Sequence, residues 1–197
     1  MRRLLIAFFF LCILALPARA QTVAQTCRNS SFGVTTIDCV FGSNVTAGDV
    51  LAVMAYGVAG TISVSGCGLT WTTDTQVNGA TMSTAPVGST GACTVTATST
   101  SSTSMSIHGV DITSTAGIDV RGATAGQGFI TTPNTISCPA ITTTVNGDRV
   151  LGLFVDTSAS AGTYTAGAGG YVIDIQGAFG TAIESVIQTT AGSITPT

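Results

Sequence analysis

The chain has 197 residues, of which 8% are charged, 6% are aromatic and 45% are hydrophobic. It contains no Lys, and beyond residue 20 three Arg face nine acidic side chains, which leaves a net charge of −6. Nucleic acids and anionic membranes are bound through clustered Lys and Arg, so this composition argues against both as partners.

The first twenty residues have the pattern of an export signal. Arg2 and Arg3 precede an apolar run over residues 4–16, and small residues, Ala18 and Ala20, occupy positions −3 and −1 before the expected cleavage point. A membrane-spanning helix needs about 20 apolar residues, more than this run offers. We predict a signal peptide over residues 1–20, cleaved after Ala20, and a secreted product without membrane insertion, formed by one domain over residues 21–197.

Short strand-like runs rich in Thr and Val recur through the rest of the chain, separated by Gly, Asn and Asp. No convincing stretch has the spacing of an amphipathic helix. This pattern predicts an all-β, antiparallel β-sandwich, jelly-roll-like and disulfide-stapled. The predicted strands cover residues 34–41, 50–58, 61–64, 69–77, 92–98, 105–112, 118–122, 135–142, 149–156, 171–175 and 182–189.

Two of these strands, over residues 50–58 and 150–155, are apolar on both faces. A strand with both faces covered need not alternate, so we predict two central strands. Their second face is covered within the domain or, alternatively, by self-association with another copy.

A short repeat precedes the same two strands. The segment 36–39 ends in Cys39 and is followed by Gly48-Asp49, and the segment 135–138 ends in Cys138 and is followed at the same distance by Gly147-Asp148. Two such units indicate equivalent strand pairs in the two halves of a sandwich, although chance similarity is an alternative.

Five cysteines follow the signal peptide, which in an exported protein indicates disulfides with one cysteine left over. We predict the pair Cys67–Cys93, which closes the region around Trp71. For the second pair the repeat favours Cys39–Cys138, with Cys27–Cys39 as the competing pair. Because Thr197 follows what looks like a turn, a further C-terminal strand is expected beyond it, and the partner of Cys27 is a candidate to lie there.

Signals for catalysis are weak, and we predict a protein that is not an enzyme. His108 is the one histidine, and on a strand it faces solvent while Asp111 points to the other face, which does not build a Ser/His/Asp triad. Glu184 is the one glutamate, and carboxylate pairs such as Asp111 with Asp119, or Asp156 with Asp174, have no support as glycosidase pairs.

No metal or cofactor is predicted. The closest cysteines are twelve residues apart, too far for a zinc site. Asp49 and Asp148 follow glycines in turns and are candidate calcium ligands, but turn-capping is the favoured interpretation of both.

Exposed aromatic residues are the usual contacts of sugar-binding sandwiches. We interpret Trp71 as a core residue. Tyr164 and Tyr171 flank the glycine-rich segment 166–170 and are the candidate ligand-binding residues, for a glycan or a surface protein.

The segments GDVLAVMAYG, LTWTTD, CTVTAT, SMSIHGVDI, TTTVNGDRVLGLFVD, TAGAGGYV and ESVIQTTAG resemble a family of exported bacterial β-sandwich modules of jelly-roll or concanavalin-like character, over roughly residues 32–197. The resemblance implies export and fold and assigns no catalytic residue. We therefore expect a secreted, non-catalytic module for extracellular binding or adhesion, possible ligands including glycans. The alternatives are a structural subunit of a surface layer, fibre or virion and, least supported, a hydrolase.

Overall fold

The computed structural model describes residues 21–77, 79–113, 117–119, 138–155, 164–177 and 180–196. These residues form antiparallel β-strands and no helix, which confirms the predicted all-β class. Within the same ranges there is no long apolar helix that could span a membrane. The strands are β1 (Val23–Val40), β2 (Val50–Gly57), β3 (Ile62–Gly66), β4 (Thr72–Val77), β5 (Ala80–Pro86), β6 (Thr94–Ile112), β7 (Ile141–Thr142), β8 (Asp148–Val155), β9 (Val172–Gly177), β10 (Thr181–Gln188) and β11 (Ser193–Ile194).

The first sheet has the order β1-β6-β2-β5-β4, with β3 also paired to β6. Its two long strands fold back on themselves. Twelve residues of straight strand would span about 40 Å, yet the Cα atoms of Cys27 and Cys39, both in β1, are 5.5 Å apart. The bend coincides with register shifts on either side of Val34 and with a positive φ at Gly33.

The folded-back halves of β1 and β6, together with β3, cover one face of the sheet and enclose a first core. Its buried residues come from both layers. Because side chains alternate between the two faces of a strand, every second residue of β2 points into this core. They are Cys27, Ile37, Cys39, Phe41, Val45, Leu51, Val53, Ala55, Ile62, Val87, Cys93, Val95, Ala97, Met105 and Ile107.

The opposite face of the first sheet packs against a second sheet, of order β8-β10-β9. Ala52 and Met54 of β2 contribute to this interface, together with Ile175 and Ile183 from the second sheet. All of β2 is therefore buried between two layers, and it lies inside its sheet between β6 and β5. The predicted central strand is confirmed over Val50–Gly57, and its second face is covered within the domain, whereas Val58 lies beyond the strand and is exposed.

The other apolar strand, β8, pairs with β10 alone among the described strands and is thus an edge strand there rather than a central one. Both of its faces are nevertheless covered. Leu151 and Leu153 pack on the interface with the first sheet. Val150 lies on the other face, in a third cluster with Tyr171 and Val186, beside the small sheet β11-β7.

The described strands pair in a similar order in the two parts of the chain, although most of the repeated segment 135–138 lies outside the described residues. In the first half β1 pairs with β6 and β2 with β5, and in the second half β7 pairs with β11 and β8 with β10. The two turns also match, because the amide of Gly48 donates to Val87 and the amide of Gly147 donates to Gln188. Both turn glycines have a positive φ. The antiparallel sandwich is thus confirmed, whereas sheets of six, three and two strands do not establish the jelly-roll topology, which stays a prediction.

Two disulfides are present, Cys67–Cys93 as predicted and Cys27–Cys39. The predicted bond between Cys39 and Cys138 is wrong, and Cys138 is a free thiol. The reason is that the fold-back of β1 brings the Cα atom of Cys39 to within 5.5 Å of that of Cys27.

Candidate functional site

A cavity of about 400 Å³ lies where the first sheet meets β9 of the second sheet. Its lining is polar and comes from three strands. Arg28, Asn29 and Ser30 belong to β1, His108 to β6 and Gly177 to β9. None of the residues from β1 is predicted by sequence analysis to be a site residue.

Strand register brings the two basic side chains of the cavity together. Arg28 is paired directly with His108 across β1 and β6, and Met54 of β2 is paired with His108 on its other side. Directly paired residues point to the same face of a sheet. Arg28 and His108 are therefore neighbours on the face that meets the second sheet, at 80 positions' separation in the sequence.

The imidazole of His108 is buried, with 1% of its surface exposed, because β9 passes directly over it. A Cβ on Gly177 would overlap the ring, so the close approach depends on glycine at that position. The predicted solvent-facing position of His108 is wrong. The face was predicted correctly, with Asp111 on the opposite one, but the second sheet covers that face.

One ring nitrogen of His108 is satisfied and the other is not. Nε2 lies 2.7 Å from the hydroxyl oxygen of Thr181 in β10. Nδ1 is buried without a hydrogen-bond partner. Burial, and then the positive charge of Arg28, lower the pKa of His108 to about 4. The imidazole is consequently neutral at neutral pH.

Arg28 keeps most of its hydrogen-bonding capacity. Its side chain is exposed, and Nη1 donates to the backbone carbonyl of Gln176. Arg149 differs, because its guanidinium donates to the carbonyl of Gln21 and to the hydroxyl of Ser185. Of these two arginines, Arg28 is the one that presents unused N–H groups to a cavity.

The side chains of Asn29 and Ser30, next to Arg28, differ in how firmly they are held. The Asn29 side chain donates to the carbonyl of Asp38 and accepts from the amide of Ser30, which fixes its orientation. Ser30 is exposed and lies two residues from Arg28, on the same face of β1. An arginine and a serine hydroxyl thus line the same side of the cavity.

The acidic residues form two carboxyl pairs outside the cavity. Burial raises the pKa of Asp111, and so does the neighbouring carboxyl group of Asp49. A hydrogen bond from the side-chain amide of Gln25 acts in the opposite direction. Burial and Asp119 raise the pKa of Asp148. The calcium candidates Asp49 and Asp148 thus each face a second carboxyl group, but the described residues contain no group of three potential metal ligands.

The structure also shows the surroundings of most of the other acidic residues considered in the sequence. Glu184 is buried and accepts a hydrogen bond from the amide of Gly167. The pair of Asp111 and Asp119 is not formed, since each carboxyl faces a different aspartate. Asp156 lies outside the described residues, and Asp174 is near Arg149 and Ser185.

The two tyrosines do not form an exposed platform. Tyr171 is 8% exposed and belongs to the third cluster, so the prediction of an exposed contact is wrong there. Tyr164 is half-buried, its hydroxyl donates to the carbonyl of Gly180, and its ring packs against Phe154. Trp71 packs against the first core, as predicted, and donates to the carbonyl of Gly66.

Comparison of the chain with protein-family models, with curated proteins and with solved structures finds no match. The resemblance to exported β-sandwich modules therefore stays a prediction. The interpretation of the cavity depends on its own geometry and chemistry.

Proposed function

We propose that this protein is a non-catalytic extracellular binding module that takes a polar ligand, a small saccharide, in the cavity beneath Arg28. The two disulfides are compatible with an oxidising compartment. The predicted signal peptide supports the same compartment.

The observation that carries the proposal is a polar cavity on rigid strands, with unused donors of Arg28 at its rim. A volume of about 400 Å³ lies within the range of small-ligand sites. β1 and β6, which supply most of the lining, are the most extensively paired of the described strands, so the backbone that carries these side chains needs little ordering on binding.

A non-catalytic role fits the surroundings of His108. Its Nε2 contacts the hydroxyl of Thr181, but Nδ1 has no carboxylate to orient it, and a general base requires such a partner in the usual triad. The low pKa of about 4 also makes His108 a weak base.

A glycan array with the oxidised protein tests this proposal. Ser30→Trp should abolish any binding seen, because a large side chain there fills the cavity from its exposed rim. Ser63→Trp is the matched control, since Ser63 is also exposed on a strand but belongs to β3, away from the cavity. Binding that survives Ser30→Trp would place the ligand elsewhere, and a blank array would reject a saccharide ligand.

A second candidate function, self-assembly into a surface structure, is favoured by two exposed apolar residues at one end of the first sheet. Phe32 is 76% exposed and Val58 is 66% exposed. Both lie beside Ser104, because Ser31 is paired with Met105 and the amide of Val58 donates to Ser104. Light scattering after size-exclusion chromatography, at several concentrations, should show growth that Phe32→Ser removes. A monomer throughout would reject assembly.

A further inference from the structure

We propose that the ligand carries a carboxylate, as an acidic sugar does, and that Arg28 binds this group at the rim of the cavity. This inference rests on the function proposed above and names its ligand class.

The first argument is an unneutralised charge. Acidic side chains outnumber arginines nine to three beyond residue 20, yet Arg28 forms no ion pair among the described residues. A guanidinium has five N–H groups in a planar fork that matches a carboxylate. Arg28 uses one of its nitrogens on Gln176, which holds the side chain over the cavity and leaves the others available.

The second argument is spacing. Arg28 and Ser30 are two residues apart on one strand face, about 6.7 Å along β1. That distance is comparable with the span of one sugar ring. A carboxylate bound to Arg28 would therefore leave a ring hydroxyl of the same sugar within reach of the Ser30 hydroxyl.

The third argument concerns the number of charges. Arg28 is a single cation, and His108 beneath it is neutral at neutral pH. One guanidinium balances one carboxylate. A phosphate dianion or a multiply sulfated sugar carries more negative charge than Arg28 alone can balance, and the net negative charge of the chain would repel the excess. The site therefore fits a monoanionic sugar.

Binding should be visible at His108. Arg28 disfavours protonation of the imidazole, so an anion that neutralises Arg28 should raise the pKa of His108. By reciprocity the anion should bind more tightly as His108 becomes protonated. His108 is the one histidine of the sequence, so its ring protons give an unambiguous NMR signal.

The experiment uses two sugars that differ at one carbon, D-galacturonate and D-galactose, with acetate as a simple anion. The His108 ring signal is titrated with pH in the oxidised protein with and without each probe, and affinities are measured by calorimetry at pH 6. Galacturonate should raise the midpoint of the His108 titration, because it neutralises Arg28, and galactose should not. Arg28→Gln should weaken galacturonate binding about tenfold or more, since a charge-assisted pair is lost.

Arg149→Gln is the matched variant, because it removes an equal charge from a guanidinium that is bonded to Gln21 and Ser185 instead. Its melting curve shows whether it is folded, and it should keep galacturonate affinity. Equal binding of galactose and galacturonate would overturn the carboxylate inference and leave the proposed function standing. Equal effects of acetate would overturn the assignment of a sugar ligand. Failure to bind galacturonate by a protein that binds a neutral sugar on the glycan array would overturn the carboxylate inference alone, whereas a blank array together with no galacturonate binding would overturn both proposals.

Discussion

The buried His108 should make the protein lose stability in mild acid, and His108→Gln should remove that loss. The imidazole has a pKa of about 4 in the fold and about 6.5 in an unfolded chain. Between these values the unfolded chain binds a proton that the folded protein does not. The free energy of unfolding therefore falls as pH decreases from about 6.5 to about 4. Above pH 6.5 both states hold a neutral imidazole and no stability is lost.

The size of this effect follows from the two pKa values. A difference of about 2.5 units at 1.36 kcal/mol per unit gives about 3 kcal/mol. Asp111, Asp148 and Asp174 act in the opposite direction, because their raised pKa values favour the folded state as pH falls toward 3.8. These aspartates are present in both proteins, so the difference between wild type and His108→Gln isolates the histidine.

The assay is urea unfolding followed by the fluorescence of Trp71, the single tryptophan, at pH 7, 5.5 and 4.5. Trp71 packs against the first core and reports its loss. The variant should be less stable than wild type at pH 7, because it loses the packing under β9 and changes the contact with Thr181. Between pH 7 and pH 4 the difference in free energy of unfolding between the two proteins should shift by about 3 kcal/mol in favour of the variant. Parallel pH profiles for the two proteins would refute the reasoning.

Three other substitutions test the fold. Gly177→Ala should cost at least about 2 kcal/mol in urea unfolding, because the added methyl overlaps His108, while Gly88→Ala, with open space around it, should stay within about 0.5 kcal/mol; equal effects would contradict the close approach. Replacing both Cys27 and Cys39 with Ala should lower the free energy of unfolding by about 3 kcal/mol, given a loop of this length, and an unchanged urea midpoint would contradict the staple across the bend. Cys138 is half-buried, and this burial raises the pKa of its thiol, so iodoacetamide at pH 8 should modify the folded protein more slowly than the urea-unfolded one, as followed by mass spectrometry; equal rates would contradict this partial burial.

The strand pattern of the sequence predicts much of the first sheet but misses β5 and the first part of β1. Residues 23–33 include Arg28, Asn29 and Ser30 and lack an apolar alternation. They form a strand because β6 pairs with them along their length, which local composition does not encode. The runs predicted at 92–98 and 105–112 belong to one strand, β6, whose polar middle lies opposite the bend.

The candidate site could not be predicted for the same reason. Arg28 and His108 meet through register, and His108 becomes buried because the second sheet covers its face. The sequence offers one related fact, that Arg28 is one of only three arginines beyond residue 20, and this alone does not place it beside His108.

The two disulfides join cysteines that are consecutive in the chain, Cys27 with Cys39 and Cys67 with Cys93. A polypeptide that is exported N-terminus first exposes these cysteines in that order. Each bond can therefore form as soon as its second cysteine appears. Cys138 emerges after both of these pairs have had the chance to close. The two bonds can therefore form in chain order, without exchange between pairs and without a contribution from Cys138.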